Sequence, residues 1–294
     1  MIDGVLHRVR YCTAMQLVYL ATPDSYQYEG LFWPANSGRR TRVGAVLVHG
    51  WTYWHDPRVR TRGFCGKCMA AVGSTLAEIG VPAVLSMNRG FHAPEFFNDC
   101  AIDFQTNIDF LAAQGCEEIV IIGHSLGGAK CAYYAGEVGH PLLRGVVLMS
   151  AIPTSYNFEG KEKEELIASA RRVVAEGNPN DIIPCREGKT VSLHEAATVV
   201  QSVDTAYRGT TLDAAANISV PVFSLAAERE WSWFQIVTKG IQAVAKKAPS
   251  LDVEIIAGAK DHAYSGYEDY VAKIVSSWVR DQLLNKPLSG ETQP

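Results

Sequence analysis

Long apolar runs and basic blocks are both missing from this sequence of 294 residues. No unbroken apolar segment approaches the roughly 20 residues that a membrane-spanning helix needs, so no membrane partner is expected. Lys and Arg number 27 against 31 Asp and Glu, for a formal net charge of −4, and the positive residues are dispersed. The electrostatic footprint of a nucleic-acid binder is therefore lacking. Met1 to Arg10 carries charges where a secretion signal needs a continuous apolar stretch, and the expected location is cytoplasmic. Internal repeats and low-complexity tracts are lacking too. Cysteines number 7, an odd count that argues for reduced thiols rather than a disulfide framework. Cys65 and Cys68 form a CxxC, but no second ligand pair stands at a spacing that would complete a common zinc site. Neither metal nor cofactor is expected, and these thiols read as small buried hydrophobes on a helix face.

What the sequence does contain is an ordinary globular composition, 47% hydrophobic and 20% charged. Met15 to Ala21 and Tyr26 to Phe32 read as a hairpin around a Pro-Asp-Ser turn. Val43 to Val48, Ala83 to Met87, Glu118 to Ile122 and Gly145 to Met149 are continuous apolar runs, the mark of strands buried on both faces. Between them lie stretches of helical spacing: Cys65 to Ile79, Ala101 to Ala113 and Leu126 to Gly136. Alternation of this kind predicts an α/β architecture, a parallel sheet with helices on both faces.

The rhythm breaks after Met149. No buried strand is expected from Pro153 to Asp213, where Lys161 to Glu176 reads as a charged helix and Ser192 to Val203 as another. A segment of this length is too long for a plain connection, so 153–213 is expected to be a helical lid inserted into a core made of 1–152 and 214–294. One face of its first helix carries Leu166, Ile167, Ala170 and Val174, an apolar stripe available to cover a pocket. Strands return at Val220 to Ala226 and Val253 to Ile256, and a helix over Tyr267 to Leu284 precedes a polar tail.

The sharpest motif is Gly123-His124-Ser125-Leu126-Gly127, a G-x-S-x-G between a buried strand and a small-residue helix. A tight turn there lifts Ser125 above the sheet and crowds its neighbours, which is why glycine flanks it on both sides. The main chain of the serine then opens a helix, where partial positive charge favours a developing oxyanion.

With this motif in this context, the chain resembles the α/β-hydrolases over nearly its whole length. The resemblance implies an eight-stranded, mostly parallel sheet and a triad in the chain order Ser, acid, His, with Ser125 as nucleophile. Val43 to Trp51 resembles the family's strand followed by His-Gly; by that likeness the N–H of Trp51 forms half of the oxyanion hole and the N–H of Leu126 the other half. His49 then reads as a residue that fixes this loop. Among the 8 histidines, His262 in Gly258-Ala259-Lys260-Asp261-His262 follows a strand and precedes the last helix, as the family's base does. Val220 to Glu230 resembles the strand and turn that end in the catalytic acid. Glu230 falls at that position, where Asp is usual, and Glu228 is the alternative. Asp261, adjacent to the base in sequence, is poorly placed to face its ring.

Trp51, Tyr53, Trp54, Phe91, His92, Trp231 and Trp233 fall on loops expected at the C-terminal edge of the sheet, where ligands bind in open α/β folds. Tyr53, Trp54, Phe91, His92, Trp231 and Trp233 are the expected substrate contacts, and the aromatic character of this edge points to a mostly apolar substrate. Glu159 to Leu166 and Ala175 to Pro179 loosely resemble the insert of a hydrolase group that includes siderophore esterases. The expected activity is hydrolysis of a carboxylic ester or lactone through an acyl-enzyme on Ser125. A C–C or thioester hydrolase with the same triad, and a ligand receptor with little turnover, remain as alternatives. The expected partner is a small-molecule substrate, and a homodimer is left open. Dehalogenases and epoxide hydrolases of this fold want Asp at position 125.

Overall fold

The computed structural model describes residues 15–36, 41–50, 66–86, 97–153, 161–187, 190–197, 199–200 and 209–285. Its core is an eight-stranded sheet ordered β1-β2-β4-β3-β5-β6-β9-β10. The first hairpin is β1 (Gln16–Ala21) and β2 (Gln27–Trp33), antiparallel to each other; β2 pairs antiparallel with β4 (Ala83–Ser86). From β4 onward every pairing is parallel, through β3 (Val43–Val48), β5 (Glu118–His124), β6 (Leu143–Met149), β9 (Val222–Ala227) and β10 (Leu251–Ile256).

The apolar runs explain the layering. Along β3 and β5 successive side chains alternate between two cores, so both faces must be covered. Ala45, Leu47, Val120 and Ile122 meet Met69 and Leu76 of α1 (Gly66–Glu78) and Val271 and Val275 of α7 (Glu268–Val279). Val46, Val48, Ile119 and Ile121 meet Phe104 and Ile108 of α2 (Cys100–Ala113), Cys131 of α3 (Leu126–Tyr133) and Val237 and Ile241 of α6 (Ser232–Val244). Burying each such aliphatic chain contributes about 1.5–3 kcal/mol relative to exposure. No helix among the described residues is long and apolar enough to cross a membrane. Cys68 is buried on α1; Cys65 lies outside the described residues.

Three local expectations need correction. The helix after the serine ends as an α-helix at Tyr133 and continues as a π-turn over Tyr134–Val138. The helix α6, not anticipated from the sequence, connects β9 to β10, and it carries Trp233 in its first turn instead of on a loop. The segment 153–213 also contains strands. After α4 (Lys161–Ala175), β7 (Ile182–Glu187) and β8 (Thr190–Glu195) form a separate antiparallel hairpin, and helical backbone begins only at Ala196. The second helix expected over Ser192 to Val203 is thus strand up to Glu195 and helical at 196–197 and 199–200.

This inserted segment builds a small core of its own. Leu166 and Ala170 of α4 are buried against Ile183, Ala196 and Val199, with Ile167 and Val174 packed at the margin. The apolar stripe of α4 is thus spent inside the insertion. Where the chain comes back, α5 (Thr211–Ala215) is capped by a reciprocal Thr210–Asp213 box. The Thr211 Oγ1 donates to Ile152 O at 2.6 Å and its N–H to Pro153 O at 2.9 Å, which ties the return to the departure. Ala214 and Ala215 already belong to the main core, so α5 straddles the boundary expected at 213/214.

Candidate active site

Parallel strands deliver their C-terminal ends to one edge, and five loops meet there: His49–Gly50 after β3, Ser125 after β5, Ser150 after β6, Glu230 after β9 and His262 after β10. From Ile119 to Ala132 every residue is buried except Ser125. Its backbone is held at φ 59° and ψ −120°, a region that costs a non-glycine residue about 1–3 kcal/mol and persists only when the surroundings enforce it. They do so through hydrogen bonds on both sides: Ser125 N–H donates to Met149 O at 2.9 Å, and Ser125 O accepts from Gly128 N at 3.0 Å. A Cβ on Gly123 would lie 2.1 Å from Gly127 O, and one on Gly127 would lie 2.2 Å from Val48 O. Both obstacles are backbone, so the two glycines of the motif are required by space. Leu126, buried at the first position of α3, presents its N–H at the positive end of that helix.

His262 Nδ1 lies 2.8 Å from Glu230 Oε2. Glu230 Oε1 accepts from Ala227 N at 2.9 Å and from Ser150 Oγ at 2.8 Å. Of the two carboxylates left open by the sequence, Glu230 therefore meets the imidazole. Glu228 is exposed and accepts instead from Gly258 N at 2.8 Å. Asp261 turns away as well, accepting from the N–H groups of Ala263 and Ser265 at 3.0 Å each.

Burial governs the charges of this pair. The Glu230 side chain is 0% exposed and that of His262 10%. Desolvation pushes the Glu230 carboxyl up to about 7, against the opposing pull of the hydrogen bonds from Ser150 and Ala227. Desolvation likewise holds His262 down, to about 4. At neutral pH the imidazole is thus uncharged; with Nδ1–H directed at Glu230, Nε2 carries the lone pair. Phe234 stacks on the His262 ring at 4.1 Å between centroids, and His124 lies at 4.5 Å.

His124, beside Ser125 in sequence, points into the protein. Its Nε2–H donates to His262 O at 2.8 Å, tying the elbow to the turn that carries the imidazole. Full burial lowers its pKa to about 3. His49 Nδ1–H donates to Gly50 O at 2.6 Å, a bond internal to its own loop.

Trp231 and Trp233 stand beside this pair, largely exposed, with ring centroids 5.9 Å apart; Trp231 is 6.2 Å from His262. Trp51, Tyr53, Trp54, Phe91 and His92, also named from the sequence, lie outside the described residues. Two residues that sequence reasoning missed are Ser150 and Tyr264, both buried completely. No motif marks them; the adjacency of β6 to β9 brings Ser150 to Glu230, and that of β10 to β9 brings Tyr264 to Ser150.

Comparison with known proteins follows the same lines. No curated protein matches by sequence. Among solved structures, Est1E from Butyrivibrio proteoclasticus superposes with a TM-score of 0.63 at 16% identity, covering 92% of this chain and 99% of its own. DcsB, solved in complex with a substrate analogue, gives a TM-score of 0.70 at 12% identity over 92% of this chain and 100% of its own. The Pyrococcus furiosus esterase Pf2001 gives 0.59 at 13% identity, with 96% of both chains covered. At these identities the likeness is one of fold. The model of the alpha/beta hydrolase family matches residues 45–274, which take in Ser125, Glu230 and His262, and the chain belongs to that family.

Proposed function

We propose that this protein hydrolyses a carboxylic ester or lactone of a mostly apolar small molecule, with Ser125 as nucleophile, His262 as general base and Glu230 as the acid that orients it. The observation that carries this reading is the buried Glu230–His262 pair at 2.8 Å, set at the same sheet edge as a strained, half-buried serine that opens a helix. In the first half-reaction Ser125 Oγ bonds to the acyl carbon as its proton passes to His262 Nε2. The charge that develops on the carbonyl oxygen is met by the N–H of Leu126 and, by family likeness, that of Trp51. The ester C–O bond then breaks and His262 returns the proton to the leaving oxygen. Water, deprotonated by the same imidazole, resolves the acyl-enzyme and frees Ser125. Glu230 keeps Nδ1–H in the required tautomer and offsets the transient imidazolium charge.

The exposed indoles of Trp231 and Trp233 support an apolar or ring-bearing substrate, and the insertion 153–213 is assigned the role of lid over this edge. Ser125→Ala should fold normally and lose at least about 10³-fold in turnover of a chromogenic ester, because the covalent route goes while binding and oxyanion donors stay. Near wild-type turnover would refute the assignment. A fluorophosphonate should label the parent enzyme stoichiometrically and leave the variant unlabelled. A panel of esters, lactones and thioesters, read for repeated turnover rather than a single burst, separates an esterase from a thioesterase and from a receptor.

A further inference from the structure

Three of the four described non-glycine residues with positive φ, Ser125 at 59°, Ser150 at 43° and Tyr264 at 57°, converge on this one edge. The strain at Ser125 is explained by the elbow. That at Ser150 and Tyr264 is not, since neither belongs to the Ser-acid-His set. Both side chains are 0% exposed, and a buried hydroxyl in a strained backbone has a specific partner or a cost. Here the partners form a chain. Ser150 Oγ donates its single proton to Glu230 Oε1 at 2.8 Å. Its oxygen is then left to accept from Tyr264 O–H, 2.6 Å away. Tyr264 O–H also lies 3.4 Å from Leu225 O, on the strand that leads to Glu230. Tyr264 sits two residues after His262, so one short turn holds the imidazole at one end and supports its carboxylate partner at the other. At Ser150 the backbone is pinned by its N–H to Leu225 O at 2.7 Å.

We propose that Ser150 and Tyr264 are positioning residues for Glu230, a two-hydroxyl relay that favours the charged carboxylate and holds it aimed at His262. The proposal rests on the reading of Glu230 and His262 given above. Its physical content is the balance at Glu230. Burial favours the neutral acid, and three hydrogen bonds favour the carboxylate; the only side-chain hydroxyl among them is that of Ser150. A carboxylate with one donor fewer takes up a proton at higher pH. A Glu230 protonated on Oε2 offers its own O–H to Nδ1 in place of accepting from it, and His262 loses the tautomer that general-base catalysis needs. The titratable groups around Glu230 are His262, in contact with it, and Asp261, turned away, both from the turn after β10; Tyr264 of the same turn, which reaches it through Ser150; and His124 from the end of β5. The charge of Asp261 opposes that of the carboxylate, and His124 would favour it only when protonated, below about pH 3; neither is altered by removing the hydroxyl.

The test compares Ser150→Ala, Ser150→Gly and Tyr264→Phe with the parent enzyme across pH. Ser150→Gly matters because glycine accepts positive φ without penalty, so a loss it shares with Ser150→Ala comes from the hydroxyl and not from strain. Both should lower kcat by about 10- to 100-fold, as expected for a lost hydrogen bond to a charged group, with KM within about twofold. In both, the acid limb of kcat/KM should move to higher pH, and the imidazole signals of His262 by NMR should move with it. Tyr264→Phe should shift the same limb by less, and the double variant Ser150→Gly/Tyr264→Phe should be no worse than Ser150→Gly alone. Loss of rate with an unmoved pH profile and unmoved His262 signals would overturn the relay, as would wild-type kinetics in Ser150→Gly. If instead Ser125→Ala keeps its activity, the underlying reading fails, and the two failures are told apart.

Discussion

Gly50 shows how closely single residues are fitted here. A Cβ at position 50 would fall 2.6 Å from Ser125 Cβ and 3.2 Å from Ser125 Oγ. The first distance is one that carbon atoms do not adopt, so a methyl group must displace the serine or the loop after β3. Near-attack geometry is sensitive on this scale, where a misplacement of about 1 Å costs about 10²-fold in rate. Gly50→Ala should therefore fold, with a small loss of thermal stability, and react about 100-fold more slowly with both ester and fluorophosphonate. An unchanged rate of fluorophosphonate labelling would show that the loop yields without moving Ser125. At this scale the sequence was most legible where chemistry and backbone constraint coincide. Gly123, Ser125 and Gly127 announce themselves because no other residue types satisfy both. Glu230 was legible only as one of two carboxylates in a turn, since the choice depends on which one faces His262 across the sheet edge. Ser150 and Tyr264 were illegible. Ser and Tyr are common, their spacing to Glu230 carries no pattern, and their contact arises from strand order alone.

At the scale of elements, what the sequence revealed follows burial. Strands covered on both faces read as continuous apolar runs, and β3 coincides with its expected bounds, Val43–Val48. The hairpin β7–β8 lacks that signature. Its sequence mixes Ile182 and Ile183 with Pro184, Arg186 and Glu187, and its second strand runs directly into Ala196, Ala197, Val199 and Val200, which are helical and draw the apparent start of that helix back into the strand. The cost of this misreading falls on the lid. With Leu166 and Ala170 buried against Ile183, Ala196 and Val199, the insertion has its own cohesion, separate from the two cores that flank the sheet. A cavity made there should open the insertion before it opens the core. Leu166→Ala removes a side chain only 5% exposed, a change that costs about 2–5 kcal/mol where the packing is tight. Hydrogen exchange over 161–200 should accelerate while amides of β3, β5 and β6 keep their protection. If the insertion gates the site, kcat/KM for a short and a long acyl ester should change by different factors. Equal loss of protection in the sheet would show that the insertion and the core unfold as one unit.

For the whole molecule, the buried titratable groups of the site link its chemistry to its stability against acid. His124 is held neutral in the fold, with a pKa of about 3 against 6.5 when solvated, chiefly by burial and then by the nearby His262. A group depressed in the folded state stabilises fully above its unfolded value, and that contribution is lost as pH falls toward the folded value. The window for His124 is thus pH 6.5 down to about 3. His262, depressed to about 4, acts in the same sense between 6.5 and 4. Glu230, raised to about 7 from 4.5, acts in the opposite sense: the folded state holds a proton there that the unfolded chain takes up only lower. The two members of the pair shift in opposite directions, so their contributions to the pH dependence oppose each other. His124 has no such opposing partner, and it contributes a slope of about one proton, or about 1.4 kcal/mol per pH unit. The unfolding free energy measured in urea should therefore be flat near pH 7 and fall below pH 6.5. His124→Gln, which keeps a donor for the His262 carbonyl but cannot titrate, should begin less stable at neutral pH and lose about one proton's worth of that slope. Parallel pH profiles for the parent and His124→Gln would show that acid sensitivity arises elsewhere in the chain.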